Sequence, residues 1–179
     1  KSIAVKKDYV RTKHLNTELE NTIIYEVHIK LFTQNFNSMV KFPGTYGGFI
    51  EKIPYLKELG ITAVEFLPVY EWDDFTGNTG MTNGAKLKNI WGYNPIGFFA
   101  PTKKFSKNQT LDSDSEIVEF KELVKNLHDH GIEVILDVVY NHTAEGGNGG
   151  KIYNFKAMDN KTFYMLENND TQYKNYSGC

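Results

Sequence analysis

The sequence predicts an α/β fold whose strands run parallel. Near-continuous apolar runs occur at 22–29, 61–69 and 132–142, and two stretches of helical periodicity separate them. Strands that are apolar throughout, rather than on alternate residues, belong to parallel sheets covered on both faces. The order strand, helix, strand, helix, strand describes two successive βα units, for which right-handed crossovers are the rule.

The elements follow in order. Residues 1–21 are polar and weakly patterned, and read as a linker or the tail of a preceding domain. The run TIIYEVHI at 22–29 is rich in β-branched and aromatic residues, which suit a buried strand. Pro43-Gly44-Thr45-Tyr46-Gly47-Gly48 reads as a Gly-rich turn. Ile50, Ile53, Leu56 and Leu59 then recur at roughly helical spacing, and Gly60 stands where a helix ends. Pro54 fits a helix that begins near Ile53, because a first turn tolerates proline. The run ITAVEFLPV at 61–69 is the second strand.

Residues 70–112 read as one long loop without regular structure, studded with Trp72, Phe75, Trp91, Tyr93, Phe98 and Phe99. Loops of that length usually carry function. Their rings suit sugar faces or anchoring to the core about equally well. Ser113 and Glu116 have capping-box spacing ahead of a stripe of Phe120, Leu123, Val124 and Leu127, which predicts a helix ending at Gly131. IEVILDVVYNH at 132–142 is the third strand. Residues 143–179 carry no strong period, and Gly146–Gly150 reads as a flexible turn without the lysine–hydroxyl pair of a phosphate loop.

Composition narrows the function. The 179 residues carry 20 Lys plus Arg against 22 Asp plus Glu, so no nucleic-acid groove and no anionic-membrane patch is expected. No apolar stretch approaches the roughly 20 residues of a membrane span. Cys179 is alone, which leaves neither an internal disulfide nor a cysteine-based zinc site. Three open-edged strands are a poor stopping place, so the chain is expected to be part of a longer protein. One cysteine and the lack of an apolar leader favour an intracellular setting, cytoplasmic or plastid.

Ligands of parallel α/β folds gather at the carboxyl ends of the strands. The residues there include His28, Pro68 to Glu71, and Asp137 to His142. Alternation would set Asp137, Val139 and Asn141 on one side and Val138, Tyr140 and His142 on the other. An aspartate inside an apolar strand needs a cation or several donors, so Asp137 is either half of a structural pair or part of a polar site. Glu65 raises the same question within the second strand, where a structural role is the simpler reading. His28 stays open between the two.

Four motifs in sequence order resemble the α-amylase superfamily, glycoside hydrolase family 13: YEVHIKLFT at 25–33, VEFLPV at 64–69, WGYNPIGFFAP at 91–101 and DVVYNH at 137–142. The extension HTAEGG at 142–147 and the tail ending YKNYSGC are most similar to isoamylase-type glycogen and starch debranching enzymes. The resemblance implies the N-terminal portion of a (β/α)8 TIM barrel, strands 1 to 3 with their helices, truncated. On that reading 22–142 is the partial catalytic barrel and 143–179 begins the excursion after strand 3.

The implied function is part of a retaining glycoside hydrolase that cleaves α-1,6 branch links of glycogen- or starch-type glucans. Tyr93 matches the tyrosine that stacks on the sugar at the cleavage point, and His142 the histidine that hydrogen-bonds its primary hydroxyl. Asp137 matches an aspartate that supports the site through an arginine on the fourth strand. Asn141 matches a position that ligates a structural calcium in many amylases; debranching enzymes often lack that site, and no metal or cofactor is expected. Retention needs two carboxylates about 5 Å apart. In this family they come from later strands, so the nucleophile and the acid/base lie beyond residue 179 and the chain alone is expected to be inactive. No motif lets Asp73, Asp74, Glu145 or Asp159 stand in for them. Alternatives are an α-1,4-acting amylase, a branching-type member, or a truncated non-catalytic glucan-binding chain. The expected partner is a branched α-glucan, and oligomeric state is left open.

Overall fold

The computed structural model describes residues 12, 14–75, 80–110, 114–147, 149–167, 170 and 172–176. The chain divides into two compact units that interleave in sequence, 1–69 with 100–137 and 70–99 with 138–179. Among the described residues no helix is long and apolar enough to cross a membrane.

The first unit holds a three-stranded parallel sheet of β1 (Ile24–Val27), β2 (Ala63–Phe66) and β7 (Glu133–Leu136), in the order β1-β2-β7. The register sets Val27 beside Phe66 and Phe66 beside Leu136. Helices α1 (Ile29–Gln34), α2 (Tyr46–Ile50), α3 (Ile53–Glu58) and α4 (Ser115–Asp129) complete it. One face of the sheet is packed: Val64 and Phe66 are buried with Phe49, Leu56, Leu123 and Leu127, and the Phe49 and Phe66 rings meet edge to face at 5.0 Å. In parallel pairing the side chains in register share a face. Ile24, Glu26, Glu65 and Ile135 are therefore on the other one, where Ile24 and Ile135 are exposed. Cover on both faces was the expectation, and the described residues supply it on one.

All three strands are shorter than their apolar runs. β1 stops at Val27 because His28 caps a helix: its Nδ1 accepts from the backbone N–H of Lys30 and Leu31 at 3.1 and 3.2 Å, which turns the chain. That resolves His28 as a structural residue. The expected Gly-rich turn contains α2, started by Thr45, whose hydroxyl accepts from Gly48 N at 3.1 Å. Gly48 is needed there, since a Cβ would stand 2.1 Å from the Phe42 carbonyl oxygen. α3 begins at Ile53 with Pro54 in its first turn, as expected. α4 runs over the expected span, but Asp114 precedes it without a side-chain cap bond and Ser113 lies outside the described residues. Its apolar stripe hides a polar surprise: Glu119 is buried, accepting from Ser106 Oγ at 2.8 Å and Lys107 N at 3.0 Å. Glu65 is only half-buried, so the buried-charge question does not arise for it.

Within the 70–112 stretch the structure replaces the single irregular loop with β3 (Tyr70–Trp72), β4 (Met81–Thr82), β5 (Ala85–Lys86), β6 (Pro95–Pro101) and a 3-10 turn at Lys103–Phe105. The second unit carries β3, β6 as far as Phe99, and the β4-β5 hairpin. It also contains α5 (Phe155–Phe163), which departs from helical geometry at Asp159 (φ −162°, ψ 97°). There the Asp159 carboxylate accepts from Thr162 Oγ at 2.7 Å and Lys161 N at 3.2 Å, restarting the turn. These bonds, led by Thr162, hold its carboxyl below the usual carboxylate range. The glycine cluster is a tight turn closed by Gly150 N to Gly147 O at 2.9 Å.

Candidate functional site

Tyr93 sits on a turn whose shape is set by its neighbours. Asn89 Oδ1 accepts from the N–H of Trp91 and Gly92 at 3.1 and 3.2 Å, Gly92 takes a φ of 85°, and Asn94 N donates to Gly92 O at 2.7 Å. This presents the ring, 37% exposed, at the tip. Residues 142–144 run alongside. His142 Nε2 lies 2.8 Å from the Tyr93 carbonyl oxygen, and Ala144 N donates to Pro95 O at 2.8 Å. A carbonyl only accepts, so Nε2 carries the proton and a neutral ring keeps its lone pair at Nδ1. Nδ1 faces Asn141 Oδ1 at 3.2 Å, two acceptors when the ring is neutral, so that contact becomes a hydrogen bond when the Asn141 amide turns its NH2 toward the ring.

Tyr93 and His142 line one cavity of about 1190 Å³, formed wholly by the second unit together with Asn141, Tyr140, Phe98 and Phe155. Its rings brace one another. Phe98 and Phe155 stack at 5.6 Å, Tyr140 meets Phe98 edge-on at 5.3 Å, and Phe155 lies 4.9 Å from Phe163. The volume exceeds the roughly 300–1,000 Å³ of a site for one small ligand. Aromatic faces with a few amides, hydroxyls and one imidazole suit a neutral, hydroxyl-rich chain.

Asp137 and Asn141 were expected on one side of a strand, and of the two Asn141 alone lines the cavity. β7 ends at Leu136, so Asp137 is not inside a strand. It is half-buried in the first unit, its N–H donating to Phe66 O at 3.0 Å, and it is not among the cavity-lining residues. Strand alternation fails beyond it, since Tyr140, Asn141 and His142 line the cavity consecutively. Asn141 faces His142 in hydrogen-bond geometry, whereas calcium takes six to eight oxygens. Among the described residues no group of three or more His, Cys, Asp or Glu is placed to hold a metal ion.

The four other acids are occupied. Asp73 is buried, with Oδ1 accepting from Phe75 N at 2.8 Å and Oδ2 held by Lys151 at 2.5 Å and by the Tyr153 hydroxyl. Asp74 pairs with Lys88 at 3.6 Å, and Asp159 caps its turn. Glu145 is the group that sequence reasoning missed. Its buried carboxylate accepts from Tyr153 N (2.7 Å), Asn154 N (2.9 Å), Lys156 N (3.0 Å) and Tyr164 OH (2.5 Å). Burial, then this bond to Glu145, pushes the Tyr164 phenol well above its ordinary range. The only signal in the letters was a glutamate three residues past a motif histidine.

The family model described as the catalytic domain of alpha amylase matches residues 16–177. The chain is 43% identical over 176 residues to the chloroplastic isoamylase 1 of Arabidopsis thaliana, covering 96% of this chain and 22% of that protein. It is 41% identical over 175 residues to the glycogen operon protein GlgX homolog of Mycobacterium bovis, covering 96% and 23%. Among solved structures, a type I pullulanase from Bacillus subtilis complexed with maltose superposes with a TM-score of 0.78 at 27% identity, covering 98% of this chain and 25% of that one. The pullulanase SAP of Group B Streptococcus in complex with maltotetraose gives 0.68 at 30% identity, covering 87% and 20%. The chain thus spans about a fifth of the length of the curated relatives it matches.

Proposed function

The chain belongs to the family of the alpha-amylase catalytic domain, and from that premise we propose that it forms one wall of the glucan site in an α-1,6-debranching glycoside hydrolase. The observation that carries this is the shared cavity of Tyr93 and His142, tied at 2.8 Å. Tyr93 offers a ring face to the C–H side of a glucose unit. His142 offers an imidazole to its primary hydroxyl, which takes the place of the Asn141 amide at Nδ1, where the contact is longer than the one at Nε2. Asn141, beside Nδ1, supports the imidazole directly, and Asp137 keeps the supporting role that its match to the family motif implies.

Residues 22–142 are, on this reading, the first three strands of a (β/α)8 barrel with their helices, and 143–179 begin the excursion after the third. The nucleophile and acid/base belong to sequence outside these 179 residues. Asp73, Asp74, Glu145 and Asp159 are all committed to other partners, which supports that assignment. The α-1,6 preference is supported by likeness to isoamylase and pullulanases, and the plastid isoamylase makes an intracellular setting the natural proposal.

The test uses the chain with maltohexaose and with pullulan. The expected outcome is saturable binding without release of reducing ends. Robust hydrolysis would overturn the assignment of the carboxylates, and failure to bind either sugar would overturn the glucan reading. A longer form carrying the acids should release linear chains from glycogen and leave linear maltohexaose intact; cleavage of the linear sugar would move the reading to an α-1,4-acting member.

A further inference from the structure

Glu145 is a buried acid that the proposed chemistry does not use, and it is bound by donors from three places in the chain. Oε1 takes Tyr153 N and Asn154 N, and Oε2 takes Lys156 N and Tyr164 OH. A carboxylate has about four lone-pair positions, so these donors saturate it. None of the four is a cation; the Lys156 ammonium turns away to the Gly147 carbonyl at 3.0 Å.

The hydroxyls around it have one consistent direction. Tyr164 must donate to the carboxylate, so its oxygen accepts from Thr143 Oγ at 2.7 Å, and Thr143 Oγ in turn accepts from Glu145 N at 3.2 Å. The result is a closed ring of bonds from the Glu145 backbone, through Thr143 and Tyr164, to the Glu145 side chain. Residues 142–144 are already bonded to 93–95 through His142 and Ala144. The 153–164 segment, which brings Phe155, Phe163 and Tyr164 to the cavity, meets that pair of segments through Glu145 and through Asn154 Nδ2 to Ile96 O.

We propose that Glu145 is a positioning residue for glucan length: it clamps 153–164 as a second wall of the cavity and so adds grip on sugar units beyond the one at Tyr93 and His142. This rests on the glucan reading above. A short sugar held by Tyr93 and His142 uses only segments 93–95 and 142–144. A long one also needs the clamped wall.

The test compares wild type with E145Q. Glutamine keeps the shape but turns one doubly accepting oxygen into a donor facing two donors, which opens one side of the clamp. Affinity for maltohexaose should fall at least about tenfold, or about 1.4 kcal/mol, while affinity for maltose changes less than about twofold. Amide hydrogen exchange should rise at 153–156 and stay unchanged in α4, which reports that the fold survives. Unchanged maltohexaose affinity, an equal loss for both sugars, or unchanged exchange at 153–156 overturns the proposal. If exchange also rises in α4, Y164F replaces E145Q: it removes one donor and breaks the ring, and must shift maltohexaose affinity in the same direction by a smaller factor. Wild type that binds neither sugar fails the glucan reading itself, and the length proposal falls with it. Wild type that binds both, with E145Q indistinguishable from it, fails the clamp alone.

Discussion

Replacing Tyr93 by alanine removes a ring that lines the cavity. The side chain of a tyrosine buries about 200 Å² when fully covered, and Tyr93 is 37% exposed, so about 75 Å² stands free for a ligand. At about 25 cal/mol per Å², covering all of it contributes about 1.9 kcal/mol, and covering only one face about half that. Since about 1.4 kcal/mol is a factor of ten, Y93A should weaken maltohexaose binding between about 5-fold and about 25-fold. Y93F, which keeps the ring, should stay within about twofold. Isothermal titration with each variant, alongside a circular dichroism spectrum to show that the fold is kept, gives the comparison. Affinity of a folded Y93A within twofold of wild type would refute the stacking argument. So would a Y93F that loses as much as Y93A, because the hydroxyl rather than the face would then carry the contact.

Two further outcomes follow from the packing and from the Tyr164 phenol. Leu123→Ala in α4 removes a side chain that is fully buried and should cost about 2–5 kcal/mol, read as a fall in the urea midpoint without a change in slope; a loss under about 1 kcal/mol would mean that the core lies elsewhere. Burial and the bond to Glu145 raise the Tyr164 pKa above the value of about 10 that an unfolded tyrosine has. Its contribution is therefore complete below about pH 10 and is lost as pH climbs through the folded value, where the native state holds the extra proton. The stability difference between wild type and Y164F should shrink above about pH 10, and a difference that stays constant through the alkaline range would contradict this.

Much of the first unit was legible because its elements obey local rules. α4 is 15 residues long with a clear apolar stripe, and α3 carries proline where a helix accepts it. Strand ends were not legible, since nothing in YEVHIK distinguishes a histidine that continues a strand from one whose ring caps the next helix. In 70–101, β3, β4 and β5 were missed because two- and three-residue strands have no period to detect, and the seven-residue β6, PIGFFAP, does not alternate apolar with polar. Tyr93 and His142 were singled out through motif resemblance, 49 residues apart, and the structure brings them together. Asp137 was placed inside a strand that ends one residue earlier. Glu145 was set aside as a poor catalytic acid, and the structure gives it hydrogen-bonding work. That work could not be read from the letters, because its donors lie 8 to 19 positions away and converge only after the chain has folded back.

The tie between His142 and position 93 runs through a main-chain oxygen. Every amino acid carries that oxygen, so the imidazole keeps its anchor whichever side chain stands at 93. Recognition and support at this spot are separable: a library randomised at 93 alone would sample different sugar-facing groups against one unmoved histidine.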